Sequence, residues 1–234
     1  MDQHYLKQLY NNVWFSKLPL HFQDYLITHS SIHTLEKGQA VFYTGDHFDG
    51  LYAVLDGSIR LGYIDIEGNQ AVSAIVEPIM WFGEISLVDQ QPRSHDAICM
   101  QNSTILQIHA SKIDKLIQQH PEFWFHIAQL TSQKLRFAFM ELISIQTHNI
   151  QQRLAQRLLF ILNGYGNHLR IENNCIHLSQ EQLAQMLVCS RQTINQELQH
   201  LEKQGILKLA FKRIEILDHA RLHALAHERS AKKS

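Results

Sequence analysis

Between residues 32 and 109 the apolar positions fall in short runs, at 40–43, 51–55, 58–63 and 104–108, rich in β-branched and aromatic side chains. Turn formers separate them: Gly45-Asp46, Asp56-Gly57 and Glu67-Gly68-Asn69. Strands this short at this spacing predict an antiparallel sandwich or barrel. Ahead of them, residues 2–30 read as two short helices, with Pro19 in the first turn of the second. Behind them the apolar period lengthens to that of a helix. Ser111 is a good N-cap for a segment with Ile113, Leu116 and Ile117 on one face.

Pro121 then opens a long helical stretch, about 121–146, carrying Phe123, Ile127, Leu130, Leu135, Ala138, Leu142 and Ile145, with Phe137, Phe139 and Ile143 widening the arc. One stripe would suffice to cover the strands. A wider arc calls for a second cover, either a parallel helix–helix dimer seam or further burial within the chain. Thr147-His148-Asn149 breaks the pattern, a helix follows at 151–163, and Gly164-Tyr165-Gly166-Asn167 reads as a turn. The expected division is therefore a sensing domain with its dimerisation helix at 1–147 and a second domain at 148–234. No Gly/Ser-rich tether lies between them, so the connection should be helical.

The sharpest local signal spans 178–198. Ser179 with Gln182 three residues on is a capping box, and Leu183, Ala184 and Leu187 give its helix a buried face. Ser190 can cap a second helix whose buried stripe is Ile194, Leu198 and Leu201, leaving Arg191, Gln192, Asn195, Gln196 and Gln199 outward. Two short helices so patterned form a helix-turn-helix, which sets the early residues of its second helix against base edges in the major groove. Arg191 suits guanine, and Gln192 or Gln196 suits adenine. Ser179, Ser190 and Thr193 suit phosphates beside two helix N-termini. Residues 205–209 and 211–216 read as a hairpin whose Lys208, Lys212 and Arg213 would form a wing near the DNA. The plainer alternative is a helical hairpin that only packs.

Charge strengthens the nucleic-acid reading. The net charge of −1 hides 9 Lys/Arg against 15 Asp/Glu in residues 1–147, and 12 against 7 in residues 148–234. A basic C-terminal part on an acidic body is what phosphate-backbone binding by one domain needs. The remaining composition mainly excludes. Four prolines among 234 residues and no low-complexity run argue for folded domains, and no apolar stretch spans a bilayer. The start lacks a secretory pattern, so a cytoplasmic protein without membrane contact is expected. Cys99, Cys175 and Cys189 fit neither a disulfide framework nor a CxxC metal motif and read as free thiols.

With strands, long helix and helix-turn-helix in that order, the chain resembles the Crp/Fnr family of bacterial regulators over about residues 15–218. Gly45-Asp46, Leu51-Tyr52 and Asp56-Gly57 resemble the family's barrel turns. Phe82-Gly83-Glu84-Ile85-Ser86-Leu87 followed by Pro92-Arg93-Ser94 is similar to the phosphate-binding cassette of cyclic-nucleotide domains, and Ser190-Arg191-Gln192-Thr193 to the start of the family's recognition helix. The resemblance implies an α+β fold: an N-terminal cyclic-nucleotide-binding-type β-barrel (a double-stranded β-helix, or jelly roll), a long dimerisation helix and a C-terminal winged helix-turn-helix. It implies ligand-binding roles for Gly83, Glu84, Ile85, Ser86, Arg93 and Ser94, and DNA-binding roles for Ser179, Gln180, Ser190, Arg191, Gln192, Thr193, Asn195, Gln196 and Lys212. Backbone N–H groups near Gly83 and the Arg93 guanidinium would meet phosphate, and Glu84 a ribose hydroxyl. The bland alternative is a turn closed by an internal Glu84–Arg93 salt bridge.

Departures from the family pattern shape the expectations further. His95-Asp96 stands where a small residue usually follows Arg93-Ser94, so Asp96 is expected to compete for Arg93 or repel a phosphate. Ungapped counting puts Ala138-Phe139 where cyclic-AMP-sensing members carry Thr-Ser against the base. The effector thus stays open among cyclic AMP, another cyclic nucleotide, another small anion and none. Gln192 and Gln196 replace acidic and basic residues of those members, which implies a different operator. Val188 occupies a turn position where the family commonly has Gly, implying strain. No cysteine cluster for iron–sulfur binding precedes Cys99. The spacings His29-x3-His33 and His219-x3-His223-x3-His227 could each put imidazoles on one helix face, but in a chain with 16 histidines they read as surface placement, not a metal site.

The expected function is a homodimeric DNA-binding transcriptional regulator reading a near-palindromic operator, with RNA polymerase as a further partner. The alternative is a nucleotide-binding module that acts through protein contacts alone. No nucleophile–base pairing or paired acids at useful spacing suggest an enzyme.

Overall fold

The computed structural model describes residues 2–64, 70–76, 78–167, 174–211 and 213–227. The chain forms two compact units, Met1–Lys134 with Gly166–Leu169, and Leu135–Tyr165 with Arg170–Ser234. Among the described residues no helix is long and apolar enough to cross a membrane.

In the first unit, α1 (Gln3–Tyr10), α2 (Val13–Ser16) and α3 (Leu20–Thr28) replace the two helices expected from the sequence. Asn12 makes the extra break. Its side chain accepts from Phe15 N at 2.8 Å, capping α2, and donates to Ile79 O at 2.9 Å. Pro19 sits one position earlier than expected, as the N-cap of α3 with extended backbone. Among the described residues eight strands follow: β1 (Ser30–Leu35), β2 (Ala40–Phe42), β3 (Gly50–Asp56), β4 (Ile59–Ile64), β5 (Gln70–Val76), β6 (Trp81–Phe82), β7 (Asp96–Cys99) and β8 (Ser103–His109). They pair antiparallel in two four-stranded sheets, β1-β8-β3-β6 and β2-β7-β4-β5, so the jelly-roll layout is present without a closed barrel. The Glu67-Gly68-Asn69 turn lies outside the described residues.

β3 is buried at every position but its last. It lies between the second sheet and a helical layer, which explains a continuous apolar run where a surface strand would alternate. The helical layer is α1–α3 with α5 (Ala110–Gln119) and the first half of α6 (Phe123–Thr147). Phe15, Phe22, Leu51, Trp81, Phe123 and Ile127 meet there in one core. α5 starts two residues earlier than an N-cap at Ser111 suggests, because the His109 side chain takes the cap position and accepts from Ser111 N. Between β6 and β7 lies the short α4 (Ile85–Asp89).

The second unit holds the rest of α6, α7 (Ile150–Leu162) and the helix pair α8 (Gln180–Leu187) and α9 (Arg191–Lys203). A three-stranded wing, β10-β11-β9, is built from β9 (Cys175–Ile176), β10 (Leu207–Ala210) and β11 (Arg213–Ile216), and α10 (His219–His227) packs on α7. Asn149 and Gln152 form a capping box that breaks the helix after α6 and starts α7. The architecture is α+β: a jelly-roll-type unit, a long helix and a winged helix-turn-helix.

Candidate functional site

Two places gather the residues singled out by the sequence. The first is a pocket bounded by the turn into α4, the start of β7 and α6. Gly83 (φ +94°) turns the chain there. A Cβ at this residue would lie 3.1 Å from Arg93 Nη1 and 3.2 Å from Gly50 O, so glycine is needed for space as well as for backbone sign. Arg93 enters from the far side of the turn and is 3% exposed. Its Nη1 donates to Gly83 O at 2.7 Å, and its Nη2 donates to Gly50 O at 2.8 Å and to Asp49 Oδ1 at 2.6 Å. The guanidinium also lies 4.2 Å from the centroid of the Phe42 ring.

Arg93 therefore pairs with Asp49, and not with Glu84 as the bland reading has it. Asp49 in turn accepts from the Tyr52 hydroxyl, which accepts from Gln107 Nε2 at 3.1 Å. Burial, then the bond to Asp49, pushes the Tyr52 phenol well above its ordinary value. Glu84 is fully buried and pairs with Lys134 of α6, Nζ to Oε2 at 2.5 Å. Asp96, expected to compete for Arg93, instead accepts from Thr44 N at 2.8 Å and Thr44 Oγ1 at 2.9 Å. Thr44, on the turn after β2, offers its backbone N–H and its hydroxyl at once and holds the carboxylate there. His95 also lines the pocket, and burial followed by the nearby Lys134 charge lowers its pKa.

Three buried polar atoms at this pocket, Glu84 Oε1, Arg93 Nε and His95 Nε2, have no hydrogen-bond partner. Leaving such atoms unpaired costs on the order of 1–3 kcal/mol each, so the pocket is chemically suited to a polar ligand. Ser86 is buried, Ile85 partly exposed, and the exposed Ser94 Oγ lies 2.9 Å from His95 Nδ1. All six sequence-predicted ligand residues line this one pocket. Asp49, Lys134 and His95 were not among them. Lys134 had a readable signal, as a lone cation on the apolar arc of the long helix. Asp49 had none, being 44 residues from Arg93.

The second place is the α8–α9 pair. Ser179 and Gln182 form the expected reciprocal capping box, and Ser190 Oγ accepts from Thr193 N at 3.0 Å. Between the helices Val188 is left-handed (φ 51°, ψ 55°) and 84% exposed, as its place in the turn implied. Leu183, Ala184, Leu187, Ile194, Leu198 and Leu201 are buried. On the opposite side Arg191, Gln192, Gln196 and Gln199 are exposed, while Asn195 is half-buried and accepts from Gln180 Nε2 at 3.0 Å. That bond braces α8 against α9. An open groove of about 800 Å³ runs between the starts of both helices and the wing, with Arg191 and Arg213 on its walls. Lys208 is exposed on β10; Lys212 lies outside the described residues.

Beneath the pair is a polar support that the sequence reading missed. Arg153 Nη2 donates to Leu187 O at 2.8 Å, which satisfies a carbonyl at the C-terminus of α8. The buried Arg157 pairs with Glu141 of α6 at 2.5 Å. Burial raises the Glu141 pKa, against the pull of Arg157 and Arg153.

Comparison with known proteins agrees with both places. Residues 32–120 match the cyclic nucleotide-binding domain family, and residues 152–225 match the Crp-like helix-turn-helix domain family. The chain belongs to the Crp/Fnr family of transcriptional regulators. Among its relatives, a cyclic AMP receptor protein of Thermus thermophilus is 29% identical over 191 residues, covering 81% of this chain and 85% of the relative. A CRP-like cAMP-activated global transcriptional regulator of Mycobacterium tuberculosis is 28% identical over 195 residues, covering 80% and 84%. In fold the chain is similar to FixK2 of Bradyrhizobium japonicum, with TM-score 0.74, 19% identity and coverage of 84% and 96%. As a Crp/Fnr member the protein is a DNA-binding transcriptional regulator, and its two matched regions contain the pocket residues other than Lys134 and the α8–α9 pair respectively.

Proposed function

We propose that the protein works in the cytoplasm as a homodimer in which residues 1–147 sense a small anionic ligand and residues 148–234 read DNA. The observation that carries the reading is the α9 surface. Arg191, Gln192 and Gln196 stand exposed in the first turns of a capped helix whose other side is buried, beside a basic wing. Such side chains make paired hydrogen bonds with base edges, Arg donating both and Gln donating one and accepting one, and the helix N-terminus favours phosphate. Ser179, Gln180, Ser190 and Thr193 serve the backbone contacts, with Asn195 holding α8 and α9 in register; Lys212 adds charge at the wing.

Two copies are needed to read a near-palindromic operator with half-sites about one helical turn apart. The second half of α6 supports such pairing. Leu135, Phe139 and Leu142, spaced four and three residues apart, are 53%, 56% and 53% exposed, which is a heptad seam without a cover in a single chain. RNA polymerase is the further partner through which the bound dimer would act.

The ligand proposed for the pocket is a cyclic nucleotide, with cyclic AMP the first to try, given what the relatives are named for. Gly83, Ile85 and Ser86 would offer backbone N–H groups, Arg93 and Ser94 would meet the phosphate, and Glu84 a ribose hydroxyl. Full-length protein would be used to select binding sequences from random duplex DNA, with and without cyclic AMP, and the selected duplex titrated by fluorescence anisotropy. Enrichment of a two-fold motif whose affinity falls about tenfold or more in Arg191→Ala is expected. No enriched motif, or equal binding by the variant, would overturn the reading of α9.

A further inference from the structure

Among the described residues neither histidine spacing noticed in the sequence gathers three ligand atoms. His29 ends α3 while His33 lies in β1, so they share no helix face. His223 and His227 stack on α10 with ring centroids 4.2 Å apart, and among the described residues no third ligand atom lies within 4.8 Å of both. Among the described residues one other group has three ligand atoms all within 4.8 Å of one another: His21, His120 and Glu122. None of them lines the ligand pocket.

The three come from two stretches of chain about a hundred residues apart, brought together by the helical core. His21 is the second residue of α3. Beside it Phe22 is fully buried, its ring centroid 5.1 Å from that of Phe123 and 5.6 Å from that of His120. His120 and Glu122 flank Pro121 in the connection from α5 to α6. That connection is held by His120 N to Leu116 O at 2.8 Å and Phe123 N to His120 O at 2.9 Å. The backbones are thus set by packing, and the ligating atoms reach the surface, with the His120 and Glu122 side chains 43% and 61% exposed.

His120 Nδ1 and Glu122 Oε1 are 3.2 Å apart. Two ligands of a tetrahedral zinc ion, each at about 2.0–2.1 Å, are separated by roughly 3.3 Å. The same pair alone would be an ordinary exposed ion pair of little worth; it gives no reason for His21 to converge on it. Two imidazoles with one carboxylate suit zinc, whereas calcium and magnesium take oxygen sets.

We propose that His21, His120 and Glu122 form a surface zinc site, completed by water, that ties α3 to the start of α6. Chelator-treated full-length protein would be titrated calorimetrically with zinc chloride near pH 7, beside His21→Ala, Glu122→Gln and, as a control on another element, His223→Ala. Thermal melts of the same four proteins with and without zinc are the second reading. One zinc per chain is expected, weakened about tenfold or more in His21→Ala and in Glu122→Gln and unchanged in His223→Ala. Zinc should raise the melting temperature of the wild type and of His223→Ala, and leave the other two where they are. Undiminished zinc binding by His21→Ala or Glu122→Gln, or no binding by the wild type, would overturn the site.

Discussion

Arg93 holds an anion already. Asp49 sits on its Nη2 at 2.6 Å, so a phosphate entering the pocket must displace or share that contact. Replacing Asp49 by Asn keeps an acceptor for Tyr52 and removes the competing charge. Asp49→Asn should bind cyclic AMP roughly tenfold more tightly, equivalent to about 1.4 kcal/mol, with a small loss of thermal stability; calorimetry and melting curves read the two effects. His95 makes the pocket sensitive to acid. Its pKa is lowered from the ordinary 6.5 by burial and by Lys134, so below that value the unfolded chain binds the proton more readily than the folded one. Its contribution is whole above pH 6.5 and is lost as pH falls through the lowered value. His95→Gln should flatten the fall of melting temperature on the acid side of neutrality. A slope identical to wild type would place that titration elsewhere. At this scale the sequence was least legible: all six ligand residues converge, yet the partners of Arg93 and Glu84 lie 44 and 50 residues away, and pairing over such distances leaves no local pattern.

Elements were far easier to read, because each has a local cause. Capping by Ser179 and Ser190 and the stripes of Leu183, Leu187, Ile194 and Leu198 are visible in a window of twenty residues, and the structure keeps them all. β3, β4 and β8 fall where β-branched and aromatic runs put them. β6, with two residues, and β7, with four, are strands only because neighbours supply their hydrogen bonds, so no run marks them. Histidine spacing carried little information for a related reason: i, i+4 pairs are informative only inside one helix, and α3 ends at Thr28. The turn between α8 and α9 offers a clean measurement. Val188 is β-branched, left-handed and 84% exposed, so its side chain buries little while its backbone is strained. Val188→Gly should raise the unfolding free energy by about 0.5–1 kcal/mol, read from the urea midpoint. A destabilised variant would mean that the exposed side chain makes contacts worth more than the strain.

For the whole molecule, the long helix is the shared part, since the division between the compact units falls inside it, after Lys134. Its first half is covered by the core of the first unit, and its second half shows Leu135, Phe139 and Leu142 to solvent. The width of its apolar arc was readable from the sequence; what covers each half was not, because period alone cannot tell one burying surface from two. Leu142→Asp should leave helical content intact, shift the protein to monomer in sedimentation velocity, and weaken binding to a two-fold operator about tenfold or more. A dimer that survives this change would have its seam elsewhere.

The engaged state of Arg93 also has a consequence in time. On the proposed role of Arg93, which is bonded to Asp49, Gly50 and Gly83, a ligand would engage it only as fast as those bonds open. The observed association rate should therefore rise with ligand at first and then level off at the opening rate, where a vacant arginine would let it climb in proportion.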